Sequence, residues 1–250
     1  MLFIDTPLTD GSVKIIRGDT GESIATLRLD EPVLWMRFSP DDQSLATSTQ
    51  NGPPLIWDLA SQRKKAAFTN GFGIQLVVFS PDGKTLASVS SDGIARLWDV
   101  ATQRTLATFK GHQDWIIGAA FSPDGKLLAT ASFDRTVRLW EIASRREQFV
   151  LRGHREKVVA VVFSPDGRTL ATGSFDDTVK LWHVTTGHEL MTLKEFKRAA
   201  HVLLFSPDGR TLAGGTYPMW KGGGPARLWR APSFEEIAAA EANQRDAVRP

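Results

Sequence analysis

The pentapeptide Phe38-Ser-Pro-Asp-Asp42 returns four times as Phe-Ser-Pro-Asp-Gly, and this repetition decides the fold. The later copies begin at Phe79, Phe121, Phe163 and Phe205, at intervals of 41, 42, 42 and 42 residues. A second marker, a tryptophan preceded by leucine or isoleucine, recurs at Trp57, Trp98, Trp140, Trp182 and Trp229. Because two independent markers share a period of about 40–45 residues, we predict an all-β propeller built from repeated four-stranded antiparallel blades.

One repeat, residues 106–142, shows how the sequence predicts strands. Apolar or alternating runs predict strands at Leu106–Phe109, Trp115–Phe121, Leu127–Ser132 and Thr136–Ile142. The segment Ser122-Pro-Asp-Gly125 predicts a tight turn, because proline presets its own φ, aspartate caps the backbone and glycine accepts a left-handed conformation. We therefore expect these four strands to form one antiparallel sheet, and successive sheets to pack around an axis.

Composition narrows the functional classes. The chain has 250 residues and no cysteine, which excludes disulfides and zinc–thiolate sites. A formal net charge of +2 is too small for a dedicated nucleic-acid binder, so no nucleic-acid partner is expected. No apolar run reaches about 18 residues, and the first residues lack a basic segment followed by an apolar one. We expect no membrane association and a cytoplasmic location.

The repeated residues resemble those of a known family. The pattern Gly-His, then Phe-Ser-Pro-Asp-Gly, then Leu-Trp followed by an acidic residue or histidine resembles the WD-repeat family of β-propellers over about residues 24–230. Its regularity, and the ending that follows Arg227-Leu-Trp-Arg230, resemble the C-terminal WD-repeat region of bacterial multidomain proteins such as serine/threonine protein kinases. The glycine-rich ATP loop, HRD and DFG motifs of a kinase do not occur in this chain.

The two ends of the chain depart from the repeat. Residues 10–27 align with residues 176–193, so the chain opens inside a repeat. We therefore divide it into a partial repeat (residues 1–23), five full repeats (24–230) and a tail (231–250). In the tail, the segment from Ser233 to Glu236 fits a capping box and predicts a short helix. A ring of seven repeats, usual in the family, would need about 294 residues at this period. We therefore predict an incomplete ring with self-association through its edges.

The resemblance implies a buried hydrogen-bond network of histidine, serine or threonine, aspartate and tryptophan in each repeat. Two repeats hold the full set: His112, Thr130, Asp134 and Trp140, and then His154, Thr172, Asp176 and Trp182. The other repeats hold incomplete sets, with Leu29, Asn51, Asn70, Phe196 and Gly223 at positions of the missing members. The outer repeats are therefore expected to be less stable.

The same trio of histidine, hydroxyl and aspartate is also the composition of a hydrolase triad. A triad needs one exposed nucleophile beside an oxyanion site, whereas here the trio recurs in successive repeats beside a tryptophan whose N–H needs a partner. We therefore interpret these residues as structural and expect no catalytic residue. His183, His188 and His201 share no metal-ligand spacing, so no metal and no cofactor are expected. His201 lies on a predicted inner strand, where it can face the central channel.

The resemblance implies a non-catalytic scaffold, or a docking or sensor module, that binds a protein or peptide on one rim of the propeller. The candidate partner-binding residues lie on the expected rim turns, and two more lie in an inserted loop of the last repeat. They are Phe72, Trp115, Phe133, Lys157, Phe175, Arg198, Tyr217 and Trp220. Aromatic residues and arginine are enriched at interface centres. The alternative is a propeller enzyme or small-molecule binder that uses the central channel.

Overall fold

The computed structural model describes residues 2–5, 12–28, 33–49, 52–68, 73–194, 200–216 and 226–230. Within these residues the protein is all-β, with 22 strands in six antiparallel sheets and no helix. None of the described segments is therefore a helix that could cross a bilayer.

Sheets 1 to 3 contain the first eleven strands. Sheet 1 holds β1 (Leu2–Asp5), β2 (Ser12–Arg17) and β3 (Ser23–Arg28). Sheet 2 holds β4 (Val33–Phe38), β5 (Ser44–Thr49), β6 (Leu55–Asp58) and β7 (Arg63–Ala67). Sheet 3 holds β8 (Ile74–Phe79), β9 (Thr85–Ser90), β10 (Ile94–Asp99) and β11 (Thr105–Lys110).

Sheets 4 to 6 contain the remaining strands. Sheet 4 holds β12 (Ile116–Phe121), β13 (Leu127–Ser132), β14 (Thr136–Glu141) and β15 (Arg146–Arg152). Sheet 5 holds β16 (Val158–Phe163), β17 (Thr169–Ser174), β18 (Val179–His183) and β19 (Glu189–Leu193). Sheet 6 holds β20 (Val202–Phe205), β21 (Thr211–Gly215) and β22 (Arg227–Arg230).

The structure corrects the assignment of one strand in each repeat. The strand predicted at Leu106–Phe109 was expected to share a sheet with residues 115–142, but β11 pairs with β10, with Arg96 opposite Thr108. The reason is local. A tight turn in which Gln103 N donates to Asp99 O at 2.8 Å folds β11 back onto β10, and the segment after Lys110 then crosses to sheet 4. Each sequence repeat therefore spans two sheets and ties them together.

The Ser-Pro-Asp-Gly turns have the predicted geometry. As predicted, the aspartate caps the backbone of the turn, with Lys126 N donating to Asp124 Oδ1 at 3.1 Å. In each of the five copies the serine hydroxyl also donates to the aspartate Oδ1 at 2.5–2.6 Å. The serine hydroxyl bond, together with a backbone N–H bond, lowers the pKa of Asp124 below its ordinary value. Gly125 adopts a φ of 70°, in the left-handed region that costs other residues more. In the first copy Asp42 takes this position with a φ of 56°.

The core lies between the sheets. One face of each sheet packs against the opposite face of the next, so that, for example, Ala129 and Leu139 of sheet 4 contact the cluster that holds Phe163 and Trp182 of sheet 5. Equivalent apolar clusters join the other neighbouring sheets. The first strands of sheets 2 to 6 contact one another in succession, whereas the fourth strands have mostly exposed side chains. The first strands therefore line the axis and the fourth strands form the periphery.

The last sheet has one uncovered apolar face. Leu203, Leu212 and Trp229 pack against sheet 5, but Leu204 and Leu228 on the other face are 55% and 72% exposed. Among the described residues no further sheet packs against this face. The six sheets thus form a propeller with an open, incomplete ring.

Sheet 6 docks on sheet 5 through a close approach at Gly173. A Cβ at this position would overlap the carbonyl oxygen of Ala200, which precedes β20. We expect Gly173→Ala to destabilise the protein by about 1–3 kcal/mol, because the backbone of the next sheet would have to move. Gly215→Ala is the matched control, since a Cβ there meets no atom within 4 Å. Equal denaturation midpoints for the two variants would contradict this account of the junction.

Candidate functional site

A buried hydrogen-bond network links the turns of sheet 4. His112 precedes β12, Thr130 lies on β13, Asp134 lies in the β13–β14 turn and Trp140 lies on β14. His112 Nδ1 lies 2.8 Å from Asp134 Oδ2, and His112 Nε2 lies 2.8 Å from Thr130 Oγ1. Trp140 Nε1 donates to Thr130 Oγ1 at 2.9 Å. Because the carboxylate only accepts, the imidazole donates from Nδ1, and every member of the network has a partner.

Sheet 5 repeats the network with the same geometry. His154 Nδ1 lies 2.9 Å from Asp176 Oδ2, His154 Nε2 lies 2.8 Å from Thr172 Oγ1, and Trp182 Nε1 donates to Thr172 Oγ1 at 2.9 Å. Burial lowers the pKa of His154 despite the adjacent carboxylate, which favours the neutral ring. Burial raises the pKa of Asp176, but hydrogen bonds from Thr178, the Arg155 backbone and His154 outweigh it and lower the pKa overall. The pKa of Asp134 is lowered in the same way, with burial opposed by bonds from His112 and Thr136.

These trios cannot act as catalytic triads on a substrate that approaches from solvent. Thr130 and Thr172 are fully buried, and each hydroxyl is already bonded to a histidine and a tryptophan. A nucleophile needs access to its substrate and a base that is free to take its proton. The geometry therefore supports the structural interpretation of these eight residues.

The preceding sheets hold only part of the network. Trp98 Nε1 donates to Ser88 Oγ at 2.9 Å in sheet 3, and Trp57 Nε1 donates to Thr47 Oγ1 at 3.1 Å in sheet 2. Asp92 accepts a hydrogen bond from the Arg96 guanidinium at 2.7 Å. The substituted positions Leu29, Asn51, Asn70, Phe196 and Gly223 lie outside the described residues.

The networks also hold the turns of one rim. Asp134 Oδ2 accepts from Gln113 N at 3.0 Å, which fixes the segment before β12 against the β13–β14 turn. As a result Phe133 N donates to Trp115 O at 2.9 Å. In sheet 5, Asp176 Oδ2 accepts from Arg155 N, and Phe175 N donates to Lys157 O, both at 2.9 Å. Each complete network therefore places one phenylalanine beside one residue of the neighbouring turn.

These turns bring aromatic side chains together across three sheets. The rings of Trp115 and Phe133 stack with centroids 6.0 Å apart and an interplanar angle of 11°. Phe133 meets Phe175 edge-on at 6.5 Å, and Phe175 meets His201 edge-on at 5.2 Å. The Lys157 ammonium lies 4.3 Å from the centroid of the Phe133 ring. We call these five residues the aromatic rim.

The aromatic rim is partly open to solvent. Trp115 is 47% exposed and Phe175 is 43% exposed, whereas Phe133 is half-buried between them and under Lys157. Phe133 was expected to be an exposed contact. The structure instead shows a half-buried ring that supports its two neighbours. Charged side chains of both signs are exposed nearby. The positive ones are Arg135 and Arg155, and the negative ones are Asp114 and Glu156.

Four of the eight predicted partner-binding residues thus lie on one continuous surface: Trp115, Phe133, Lys157 and Phe175. The other four, Phe72, Arg198, Tyr217 and Trp220, lie outside the described residues. His201 was not among the predicted contacts. Its counterparts one and two periods earlier are Val159 and Ile117, so the repeat gave no sign of an aromatic ring at this position.

No group of three metal-ligating side chains occurs in the described parts of the chain.

Comparison with known proteins agrees with the fold. The family described as WD domain, G-beta repeat matches residues 69–99, 103–141 and 145–183. The second and third matches span β11 to β14 and β15 to β18, and therefore include both complete networks. Three segments of the chain are thus similar to WD repeats, which supports the resemblance to the WD-repeat family. A search of curated proteins found no match.

Removing the aspartate of a complete network should cost stability. We expect Asp134→Ala and Asp176→Ala each to lower the free energy of unfolding by about 1–3 kcal/mol, because the histidine and backbone donors lose a buried acceptor. Asp92→Ala is the control, since the Asp92 side chain is 39% exposed and Trp98 keeps its hydrogen bond to Ser88. It should cost about 0.5 kcal/mol. Chemical denaturation of the three variants measures these free energies of unfolding. Equal losses in all three would show that a complete network adds no stability.

Proposed function

We propose that this protein is a non-catalytic interaction module that binds a protein or peptide partner on the aromatic rim. WD repeats generally mediate protein–protein interaction, and three segments of this chain are similar to them. The observation that carries the proposal is the chain of rings from Trp115 to His201, which crosses three sheets and exposes two large aromatic side chains.

The rim is suited to binding because its rings are held before a partner arrives. The phenylalanine turns are tied to the neighbouring segments by the buried networks, so little conformational entropy remains to be lost on binding. Aromatic side chains also supply a large contact area with few rotatable bonds. Trp115 and Phe175 are the expected binding hot spots, with Phe133 as the ring that fixes the distance between them.

Within the rim itself, Lys157 favours a partner that carries an acidic group beside an apolar side chain. Lys157 already lies over Phe133, so an acidic group that approaches it would meet a cation held in place. Charges at the edge of an interface act mainly on the rate of association, whereas buried aromatic contacts determine the rate of dissociation.

Replacing the exposed members of the rim should abolish binding and leave the fold intact. We expect the Trp115→Ala/Phe175→Ala variant to lose about 2 kcal/mol or more per site in binding free energy. Lys157→Glu should slow association. The matched control is Leu106→Ala/Leu190→Ala, which removes two exposed leucines from the outer strands β11 and β19.

The experiment has two steps. The unmodified protein first captures partners from an extract of its source cell, and a captured partner is then titrated against each variant by calorimetry. The proposal is wrong if the Trp115/Phe175 variant binds every captured partner as tightly as the control does. Circular dichroism melting of both variants shows whether a loss of binding reflects unfolding.

A second proposal concerns self-association. The uncovered face of sheet 6, with Val202, Leu204 and Leu228, corresponds to the face that sheet 5 buries through Ala160 and Leu181. We propose that a second copy of the chain covers this face, because exposed apolar faces and strand edges recruit other chains.

This proposal predicts a concentration-dependent increase in mass. The 250-residue chain should form dimers or larger species in light scattering, and Leu204→Lys/Leu228→Lys should shift it toward the monomer. Leu190→Lys, on the exposed outer strand β19, is the control and should leave the association unchanged. A chain that remains monomeric at tens of micromolar overturns the proposal.

A further inference from the structure

One face of sheet 2 carries three polar side chains close to the axis. Trp35 and Arg37 lie on β4, and Ser48 lies opposite Trp35 on β5. Alternate residues of a strand, and residues directly opposite each other across a pair, point to the same face of a sheet. The three side chains therefore share one face with Ala46, which lies opposite Arg37 and belongs to the cluster between sheets 2 and 3. We call Trp35, Arg37 and Ser48 the polar trio.

The next three sheets hold small or aliphatic residues at the same three positions. In the order of the trio, the counterparts are Leu76, Val78 and Val89 in sheet 3, Gly118, Ala120 and Ala131 in sheet 4, and Ala160, Val162 and Gly173 in sheet 5. Packing between neighbouring sheets therefore requires no polar group at these positions. The polar trio needs an explanation of its own.

Arg37 is a partly desolvated cation without a counter-charge from the protein. Its side chain still reaches solvent. Burial among the surrounding strands nevertheless lowers the pKa of its guanidinium below the ordinary value, and no carboxylate opposes that effect. Among the described residues Arg37 forms no ion pair, and its Cζ atom lies 5.7 Å from the centroid of the Trp35 ring. Because charges removed from water are normally paired in proteins, this position favours an anion.

The other two members of the trio support the same conclusion. Trp35 Nε1 and Ser48 Oγ are buried and find no hydrogen-bond partner in the part of the chain that the structure describes. Most buried polar groups in proteins do have a partner. Both groups can donate a hydrogen bond, so the trio contains donors and one positive charge but no negative charge. Because neither atom reaches solvent, Arg37 is the member that an anion can contact directly.

The polar trio is far from the aromatic rim. Arg37 lies one residue before Phe38, at the end of β4 that leads into the Ser-Pro-Asp turn. Trp115 of the rim instead immediately precedes β12, at the opposite end of the first strands. Since the first strands line the axis, Arg37 is accessible from the axis near the end that carries the Ser-Pro-Asp turns.

We propose that Arg37 binds an oxyanion, the carboxylate or phosphate group of a ligand that enters along the axis from the end opposite the aromatic rim. A guanidinium presents planar pairs of N–H donors that match both groups. The Trp35 ring keeps the guanidinium in place, because arginine stacks favourably on aromatic faces. The site uses no residue of the aromatic rim, so its occupation does not depend on a partner bound there.

Thermal unfolding tests the site with two probes, sodium phosphate and sodium succinate, at constant ionic strength. We expect at least one of them to raise the Tm of the unmodified protein by about 5 °C or more at a concentration of about 100 times its Kd, because it binds only the folded state. Arg37→Met keeps an apolar stem and should lose this rise. The control is Arg63→Met on the exposed outer strand β7, which should keep it. A rise with phosphate alone or succinate alone identifies the chemical source of the oxyanion, and either result supports the site.

Labelling of arginine by phenylglyoxal locates the anion on the unmodified protein, and therefore decides even if Arg37→Met unfolds. The effective probe should slow the labelling of Arg37 by about tenfold or more and leave that of Arg63 unchanged, measured by peptide mass spectrometry. The proposal is overturned if neither probe raises the Tm, if the rise is equal in Arg37→Met and the unmodified protein, or if Arg37 is labelled at the same rate with and without the probe.

Discussion

The packing of one sheet face against the next is the interaction on which the rest of the structure depends. A four-stranded sheet with two apolar faces cannot bury either face alone, and here each cluster draws its residues from two neighbouring sheets. The sequence repeat meets this requirement because it is offset from the sheets by one strand. Because the outer strand of one sheet is continuous in sequence with the inner strand of the next, the chain ties every pair of neighbours together.

The buried networks connect the packed core to the turns that form the surface of the rim. In sheets 4 and 5 a histidine bridges an aspartate in a turn and a threonine on a strand, and the threonine holds the tryptophan that faces the neighbouring sheet. The same aspartates accept backbone N–H groups from the adjacent segment. Residues that stabilise the core thus also position the rings of the aromatic rim, which explains why two complete networks and the rim occupy the same part of the ring.

Stability and the proposed binding therefore involve different atoms of the same turns. The carboxylates of Asp134 and Asp176 point inward and are nearly fully covered, whereas the preceding phenylalanines extend over the rim. A partner can contact the rings without disturbing the buried bonds. Such separation allows the rim residues to vary in kind while the fold remains the same, as expected for a scaffold that carries its function on turns.

The sequence alone determined the period, the turns and the members of the networks. These features are local or repeat at a constant interval, so Ser-Pro-Asp-Gly predicts a tight turn capped by its aspartate wherever this segment occurs. The sequence could not show which sheet receives β11, because connections of the same length, five residues, precede and follow this strand. The tertiary structure decided that. It also decided that Phe133 lies beneath Lys157 and that His201 closes the row of rings, since contacts between sheets depend on their twist and separation, and not on neighbouring residues in the chain.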